Sequence, residues 1–317
     1  MSIISPIKDF PSLETLRVAN RRLDPETLAL MQMQARSRRT RVVVTGIGAM
    51  TCLGLAAQET WDGLIAGRSG IGIYTRKDAA NIPIKIMASV KNFEPQKFMS
   101  AKEARRMALF SQYAVAASRE AMLDARLVEP NSEFDMPVHS VDPERAGVII
   151  GTCTGGFVEI RDATEVLLQK GYARVSPFFL TMMMHNAAAA NISREYGLIG
   201  YNATTTTACA AGAQAIGEAA EIIRRGLADV MVAGGTESSH CDLGVAGFAA
   251  MRAMTTTHNA DPERSSKPFD LHRDGLVGGE GAAILILERL EHAQARGAKI
   301  YAEVLGYGCS ADAAPRH

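Results

Sequence analysis

Apolar and polar positions follow two different periods along the chain, and the change of period separates strands from helices. Val42-Val43-Val44-Thr45-Gly46 is a short β-branched run ending at glycine, which predicts a buried strand. Gly147–Gly151, Ala228–Ala233, Ala282–Leu287 and Tyr301–Leu305 are runs of the same kind. Between them, apolar residues return every three to four positions. Met107, Phe110, Ala114, Ala117 and Met122 fall near one face of a long amphipathic helix over Lys102–Leu127. A shorter helical segment covers Glu59–Ala66. Ala213, Ile216, Ala220 and Ile223 repeat the helical spacing, with Gly226 placed to end the helix. Short apolar strands separated by helices predict an α/β protein with a largely buried sheet.

Composition narrows this picture. The 317 residues correspond to two ordinary domains or one large one. With 47% hydrophobic and 21% charged residues, the chain can build a core and is not a disordered polymer. Thirty-four basic residues balance 34 acidic ones, so net charge gives no pull toward nucleic acid or membrane. Two stretches without charge, Val175–Ser193 and Tyr196–Gly217, approach the length of a bilayer span. Pro177, His185, Asn186 and Asn191 interrupt the first; glycines and Thr204–Thr207 interrupt the second. Both are expected to be buried core and active-site wall.

The five cysteines, Cys52, Cys153, Cys209, Cys241 and Cys309, are odd in number, widely spaced and free of a C-x-x-C pair. That excludes a disulfide framework and a zinc ribbon, and fits a reducing compartment. The adjacent His240 and Cys241 have no complementary ligands nearby in sequence, and Asp270, Asp274 and Glu280 lack calcium-loop spacing, so no metal site is expected. Residues 1–40 mix arginines with Asp9, Glu14, Asp24 and Glu26 and have no apolar signal region. They are expected to form an extension outside the main fold, with a short helix from Asp24, as N-cap, through Met33. Without a signal or a membrane segment, the expected location is the cytoplasm.

Gly46-Ile47-Gly48 after a strand is half of a dinucleotide fingerprint, but Thr51 stands where the third glycine belongs. Val42–Gly48 and Ile300–Gly308 look alike, each a strand entering a Gly-x-Gly turn, which hints at an internal duplication. Cys209 is the sharper signal. Asn202–Thr207 is strand-like, Ala208–Gly212 is a cluster of small residues, and the helical spacing follows at once. Cys209 therefore falls at a tight strand-to-helix turn, where the helix dipole favours a thiolate and a bound carbonyl can be polarised. The alternative is a small packed core cysteine.

Around Cys209 the chain resembles the β-ketoacyl-acyl carrier protein synthases of the elongating type. Thr207-Ala208-Cys209-Ala210-Ala211-Gly212 with Ala215-Ile216-Gly217 is similar to their nucleophile motif. The likeness runs colinearly over about residues 41–312. It takes in Val43–Gly48, Leu64–Ile71, Ser176–Phe179, Ala233–Glu237, Gly244–Phe248, Asp261–Arg264, Pro268–Asp270, Arg273–Gly275 and Gly279–Ala282. The resemblance implies a thiolase-like layered α/β/α/β/α fold made of two similar halves, with the first half complete here and the second truncated. It divides the chain into an extension (1–40), the N-terminal half (41–297) and the start of the C-terminal half (298–317). It implies that Cys209 takes an acyl chain from acyl carrier protein. Malonyl carrier protein then loses carbon dioxide and extends the chain by two carbons. No cofactor is implied, and the partners are the carrier protein and a second copy or complementing chain.

By the same resemblance Cys153 and Thr154 stand at the gate of the acyl pocket. Asp270, Asp274 and Glu280 support the site from behind. Lys102, Arg105, Arg106, Arg174 and Arg252 meet the acidic carrier protein. The chain also departs from the family. The two histidine motifs that serve decarboxylation, and the C-terminal loop that supplies half of the oxyanion hole, have no counterpart among its seven histidines and its ending. Ala314-Pro315-Arg316-His317 leaves the family pattern abruptly. Cys52 and His185 each replace a usual proline, and Cys153-Thr154 replaces glycine and an apolar residue. These departures predict that condensation by this chain alone is incomplete. They keep open a non-catalytic or split partner subunit and a polyketide-type ketosynthase; a thiolase using coenzyme A esters fits the motifs less well.

Overall fold

The computed structural model describes residues 40–76, 82–130 and 136–313. The helix expected over Asp24–Met33, the rest of residues 1–39, and the ending Ala314–His317 lie outside the described residues.

Six strands make one mixed sheet. They are β1 (Val42–Met50), β4 (Ala146–Gly151), β5 (Asn202–Thr205), β6 (Val230–Glu237), β7 (Gly281–Arg289) and β8 (Ala302–Glu303). A two-stranded sheet pairs β2 (Gly72–Ile73) with β3 (Ile86–Met87). The large sheet runs β5-β4-β6-β7-β1-β8. Strands β5, β4 and β6 are parallel, while β7 is antiparallel to both β6 and β1. The helices used below are α1 (Ala57–Ile65), α2 (Leu109–Asp124), α3 (Phe157–Lys170), α4 (Ala187–Tyr196), α5 (Ala211–Arg224), α6 (Asp242–Ala250) and α7 (Leu290–Ala295).

The strands read as continuous apolar runs because both faces of the sheet are covered. Val148, Ile150, Val230, Val232, Ile284 and Ile286 turn to the face packed by α2 and α4. Ile149, Met231, Ala233 and Leu287 turn to the opposite face, against Ala215, Ala219 and Ile223 of α5. Successive residues of β6 thus feed two separate cores, as the two-residue period of a strand requires.

Three sequence expectations are corrected here. The segment Lys102–Leu127 is not one helix. A single turn, Ala101–Ala104, is capped by Ser100 Oγ, which accepts from the Glu103 N–H at 3.2 Å. The chain then breaks, and α2 begins after Ala108 in an extended conformation. The side-chain amide of Gln112 donates to the carbonyls of Ala104 and Met107, both at 2.9 Å, satisfying acceptors that a break releases.

Gly46-Ile47-Gly48 is not a turn and cradles no phosphate. It lies inside β1, which runs on to Met50. A Cβ on Gly46 would sit 2.2 Å from the Ala121 carbonyl, and one on Gly48 2.0 Å from that of Ala117. The glycines are there so that β1 and α2 can touch backbone to backbone. The look-alike Ile300–Gly308 forms only β8, which pairs antiparallel with Val43 and Val44. Its Tyr307 ring covers Gly217, where a Cβ would meet the ring at 2.1 Å.

The charge-free stretch Val175–Ser193 is only partly core. Ala187–Ala189 and Ile192 are buried, but Leu180 is 64% exposed, and Phe178 and Met184 are exposed too. Lack of charge does not say which face of a segment meets the sheet; the small alanines of α4 do. Among the described residues no helix is long and apolar enough to cross a membrane.

Candidate active site

Strands β4, β5 and β6 are parallel, so the loops leaving their C-terminal ends gather on one edge of the sheet. Thr152–Thr154 leaves β4, Thr206–Ala210 leaves β5, and Ser238–Cys241 leaves β6. Glycines let these loops close up. A Cβ on Gly151 would lie 2.2 Å from the backbone of Ala211, and one on Gly235 2.9 Å from Gly212.

Cys209 stands in the middle of the 3₁₀ turn Ala208–Ala210, immediately before α5. Ala208 holds φ at +51°, the left-handed region that costs a non-glycine residue about 1–2 kcal/mol. The surrounding bonds hold the turn in place. Thr205 Oγ1 donates to the Ala211 carbonyl at 2.8 Å, and Thr207 Oγ1 donates to Gln214 Oε1 at 2.6 Å. The Cys209 side chain is exposed rather than packed, which excludes the plain core cysteine. It faces a cavity of about 610 Å³ at the N-terminal end of the 14-residue α5.

The cavity brings together Cys209, Cys153, Thr154, Glu237, His240 and Glu280. Much of the remaining lining is apolar, including Met87, Val245 and Phe248. Glu237 organises the β4 loop. It accepts from the Cys153 N–H at 2.7 Å, the Thr154 N–H at 3.2 Å and Thr154 Oγ1 at 2.6 Å. Burial pushes the Cys153 thiol up, and the charges of Glu237 and Cys209 add to that. Glu280 accepts from the Val90 N–H at 3.1 Å, Tyr113 Oη at 3.2 Å and Ser238 Oγ at 2.9 Å.

Other expected residues lie elsewhere. Asp270 is exposed and accepts from the His272 N–H, outside the cavity wall. Asp274 ties a neighbouring loop by accepting from Thr255 Oγ1 at 2.7 Å and Thr257 Oγ1 at 2.6 Å. Burial opposes its charge, but those hydrogen bonds outweigh it and hold the carboxyl down at about 2. Lys102, Arg105, Arg106, Arg174 and Arg252 are all exposed, away from the cavity lining. Arg106 lies over the Phe178 ring, 4.9 Å from its centroid. Among the described residues no three His, Cys, Asp or Glu side chains gather as a metal site would need.

Sequence reasoning had no role for Glu237 or His240. Glu237 ends the Ala233–Glu237 stretch that carries the resemblance, but its hold on the β4 loop shows only through partners more than eighty positions earlier.

Comparison with known proteins bears on this geometry. Residues 39–293 match the family described as "Beta-ketoacyl synthase, N-terminal domain". The chain is 45% identical over 279 residues to 3-oxoacyl-[acyl-carrier-protein] synthase 2 of Synechocystis, covering 88% of this chain and 65% of that protein. It is 44% identical over 277 residues to the protein of that name in Staphylococcus aureus, covering 87% and 64%. A β-ketoacyl synthase from Burkholderia phymatum superposes with a TM-score of 0.76 at 37% identity, over 86% of this chain and 65% of that one. A type II polyketide ketosynthase in complex with its acyl carrier protein, bound to a hexaketide, gives 0.69 at 31%, over 84% and 62%. The chain therefore spans a little under two thirds of the length of the curated relatives it matches.

Proposed function

The chain belongs to the β-ketoacyl synthase family, and we propose that it carries the acyl-accepting part of a 3-oxoacyl-[acyl-carrier-protein] synthase. The Cys209 thiolate attacks the thioester carbonyl of an acyl chain held on the phosphopantetheine arm of acyl carrier protein. A new C–S bond forms at Cys209, and the thiol of the arm leaves. In the whole protein, malonyl carrier protein then loses carbon dioxide, and its carbanion attacks the Cys209 thioester.

One observation carries this reading: an exposed cysteine on a strained turn, at the head of a long helix, opening into a largely apolar cavity. Thr154 and Cys153 stand at that cavity and act as its gate, held by Glu237. Glu280 backs the cavity wall; Asp274 and Asp270 shape the loop beyond it. Lys102, Arg105, Arg106, Arg174 and Arg252 offer exposed positive charge to an acidic carrier. The carrier as partner draws support from the polyketide ketosynthase complexed with its own carrier protein. Fatty acid rather than polyketide synthesis is favoured by the higher identity of the 3-oxoacyl synthases, 44–45% against 31–36% for the ketosynthases of polyketide type.

We place residues 41–297 in the N-terminal half of the synthase and 298–317 at the start of the C-terminal half, with 1–40 as an extension. The family match over 39–293 supports those boundaries. A homodimer or a complementing chain supplies what the first half leaves uncovered, and the free thiols suit the cytoplasm.

The test is transfer of a radiolabelled acyl group from acyl carrier protein. Label is expected on Cys209 of the wild type and none above background on Cys209→Ala. A folded wild type that takes no label overturns the reading.

A further inference from the structure

Beside the cavity lies a buried polar atom for which acyl transfer has no use. His240 lies just beyond the end of β6, is only 7% exposed, and lines the same cavity as Cys209. The Gly279 carbonyl accepts from its ring. Its other nitrogen, Nδ1, is buried and has no hydrogen-bond partner among the described residues. Glu280 Oε2 is 3.8 Å away, too far for a hydrogen bond, and already accepts from Ser238 Oγ.

The charged groups acting on the ring are Glu280, Glu237 and Arg76. Burial outweighs the two carboxylates and keeps His240 below its ordinary value. The imidazole is therefore neutral near pH 7, and Nδ1 presents a lone pair. The Glu237 and Glu280 carboxylates on this wall are acceptors as well. Nδ1 is thus an acceptor to which none of the described residues donates. Polar atoms buried without a partner are costly, so a native site that keeps one beside a cavity has a use for it.

We propose that the cavity beside Cys209 is built for an acyl chain that bears a hydroxyl group, with the buried Nδ1 of His240 accepting the hydrogen bond from that hydroxyl. The proposal rests on Cys209 being the acyl acceptor. An unsubstituted alkyl chain brings no donor, and a 3-oxo group brings only another acceptor. A hydroxyl supplies the missing hydrogen and lets the rest of the chain lie on Met87, Val245 and Phe248. The amide N–H groups of the pantetheine arm are the other donors that could arrive. Every substrate carries them, so they cannot favour one acyl chain over another.

The experiment uses the full chain and medium-chain acyl-pantetheine thioesters. One is unsubstituted; the others carry a single hydroxyl at successive carbons. Intact-protein mass spectrometry reads the initial rate of Cys209 acylation. One hydroxyl position is expected to run about three- to tenfold faster than the unsubstituted chain, the range of one buried hydrogen bond. His240→Leu should bring that ratio to one or below, and His240→Gln, which keeps an acceptor, should retain part of it. The proposal is overturned if no position is favoured in the wild type, or if His240→Leu keeps the preference. It is also overturned if His240→Leu slows every thioester equally, which would assign Nδ1 to the arm. Should no thioester transfer, the nucleophile reading fails. The proposal, which rests on that reading, then falls with it, whereas transfer without a hydroxyl preference overturns the proposal alone.

Discussion

Two buried histidine–carboxylate groupings sit on this sheet, and they differ in whether their hydrogen bonds close. At the junction of β7 and α7, Glu288 is fully buried. It accepts from Thr45 Oγ1 at 2.6 Å, His292 Nδ1 at 2.6 Å and Arg296 Nε at 2.8 Å, and Arg296 Nη2 adds a second guanidinium bond. His292 Nε2 meets the Ser140 carbonyl at 3.0 Å, so both ring nitrogens face acceptors, which favours the charged ring. At the cavity, Glu280 is filled by neutral donors, while His240 Nδ1 stays open. A closed grouping does its work in folding, because every polar atom is satisfied from within the chain. An acceptor beside a cavity that no described residue satisfies is left for a partner from outside.

The largest expected effect comes from breaking the closed grouping. Arg296→Ala leaves Glu288 buried without its bidentate cation and should cost about 3–5 kcal/mol of stability. Urea unfolding of wild type and variant measures it. A loss below about 1 kcal/mol would mean that the closed grouping does not hold the fold, and the contrast between the two sites would fall with it.

Little of this contrast could be read in the sequence, and the reason is physical. The strands were legible because burial on both faces turns them into unbroken apolar runs. The Cys209 turn was legible because small residues, a strand and a helical period meet at one point. Helix α2 was read too long because Met107 keeps the apolar spacing across the break, although its carbonyl goes to Gln112 instead. Gly46 and Gly48 imitated a phosphate loop because close backbone packing and phosphate approach both demand the absence of a Cβ. Glu288 and His292 do show helical i,i+4 spacing, but Thr45 reaches them from 243 positions away. His240 looked like a failed metal ligand because only the folded cavity reveals that its Nδ1 has no partner.

A pH series sharpens the comparison next. Burial raises the Glu288 carboxyl, but hydrogen bonds from Arg296, His292 and Thr45 overcome it and bring the group to about 2. A carboxyl depressed from about 4.5 stabilises the fold above its unfolded value. That contribution, on the order of 3 kcal/mol, is lost as pH falls from about 4.5 toward 2. His292 is shifted the other way, raised chiefly by its hydrogen bond to Glu288. Its contribution is full below its unfolded value of about 6.5 and disappears as pH rises through the raised folded value. The closed grouping should thus hold most strongly between about pH 4.5 and 6.5. In Thr45→Val, which removes one donor and so raises the folded value, the acid limb should be shallower and level off at higher pH. Thermal melts across pH 3–8 check both limbs; an acid limb that does not move in Thr45→Val counts against the cluster as its cause.

The smallest expected effect has the opposite sign. His240→Leu removes a buried acceptor that no donor among the described residues satisfies, and it adds apolar surface to a wall that already includes Met87, Val245 and Phe248. The lost contact with the Gly279 carbonyl offsets part of that gain, so the variant should be about 1 kcal/mol more stable, or a few degrees in melting temperature. In the closed grouping, His292→Leu should destabilise, since it strips a charged donor from Glu288. Two histidine-to-leucine changes on one sheet would then move stability in opposite directions. The sign for His240 matters more than its size. A residue whose removal stabilises the fold is being kept for something other than folding, and sites of binding and chemistry are where such losses are tolerated. A clear loss of stability in His240→Leu would show instead that the ring is an ordinary packing element and that its open nitrogen has no ligand to wait for.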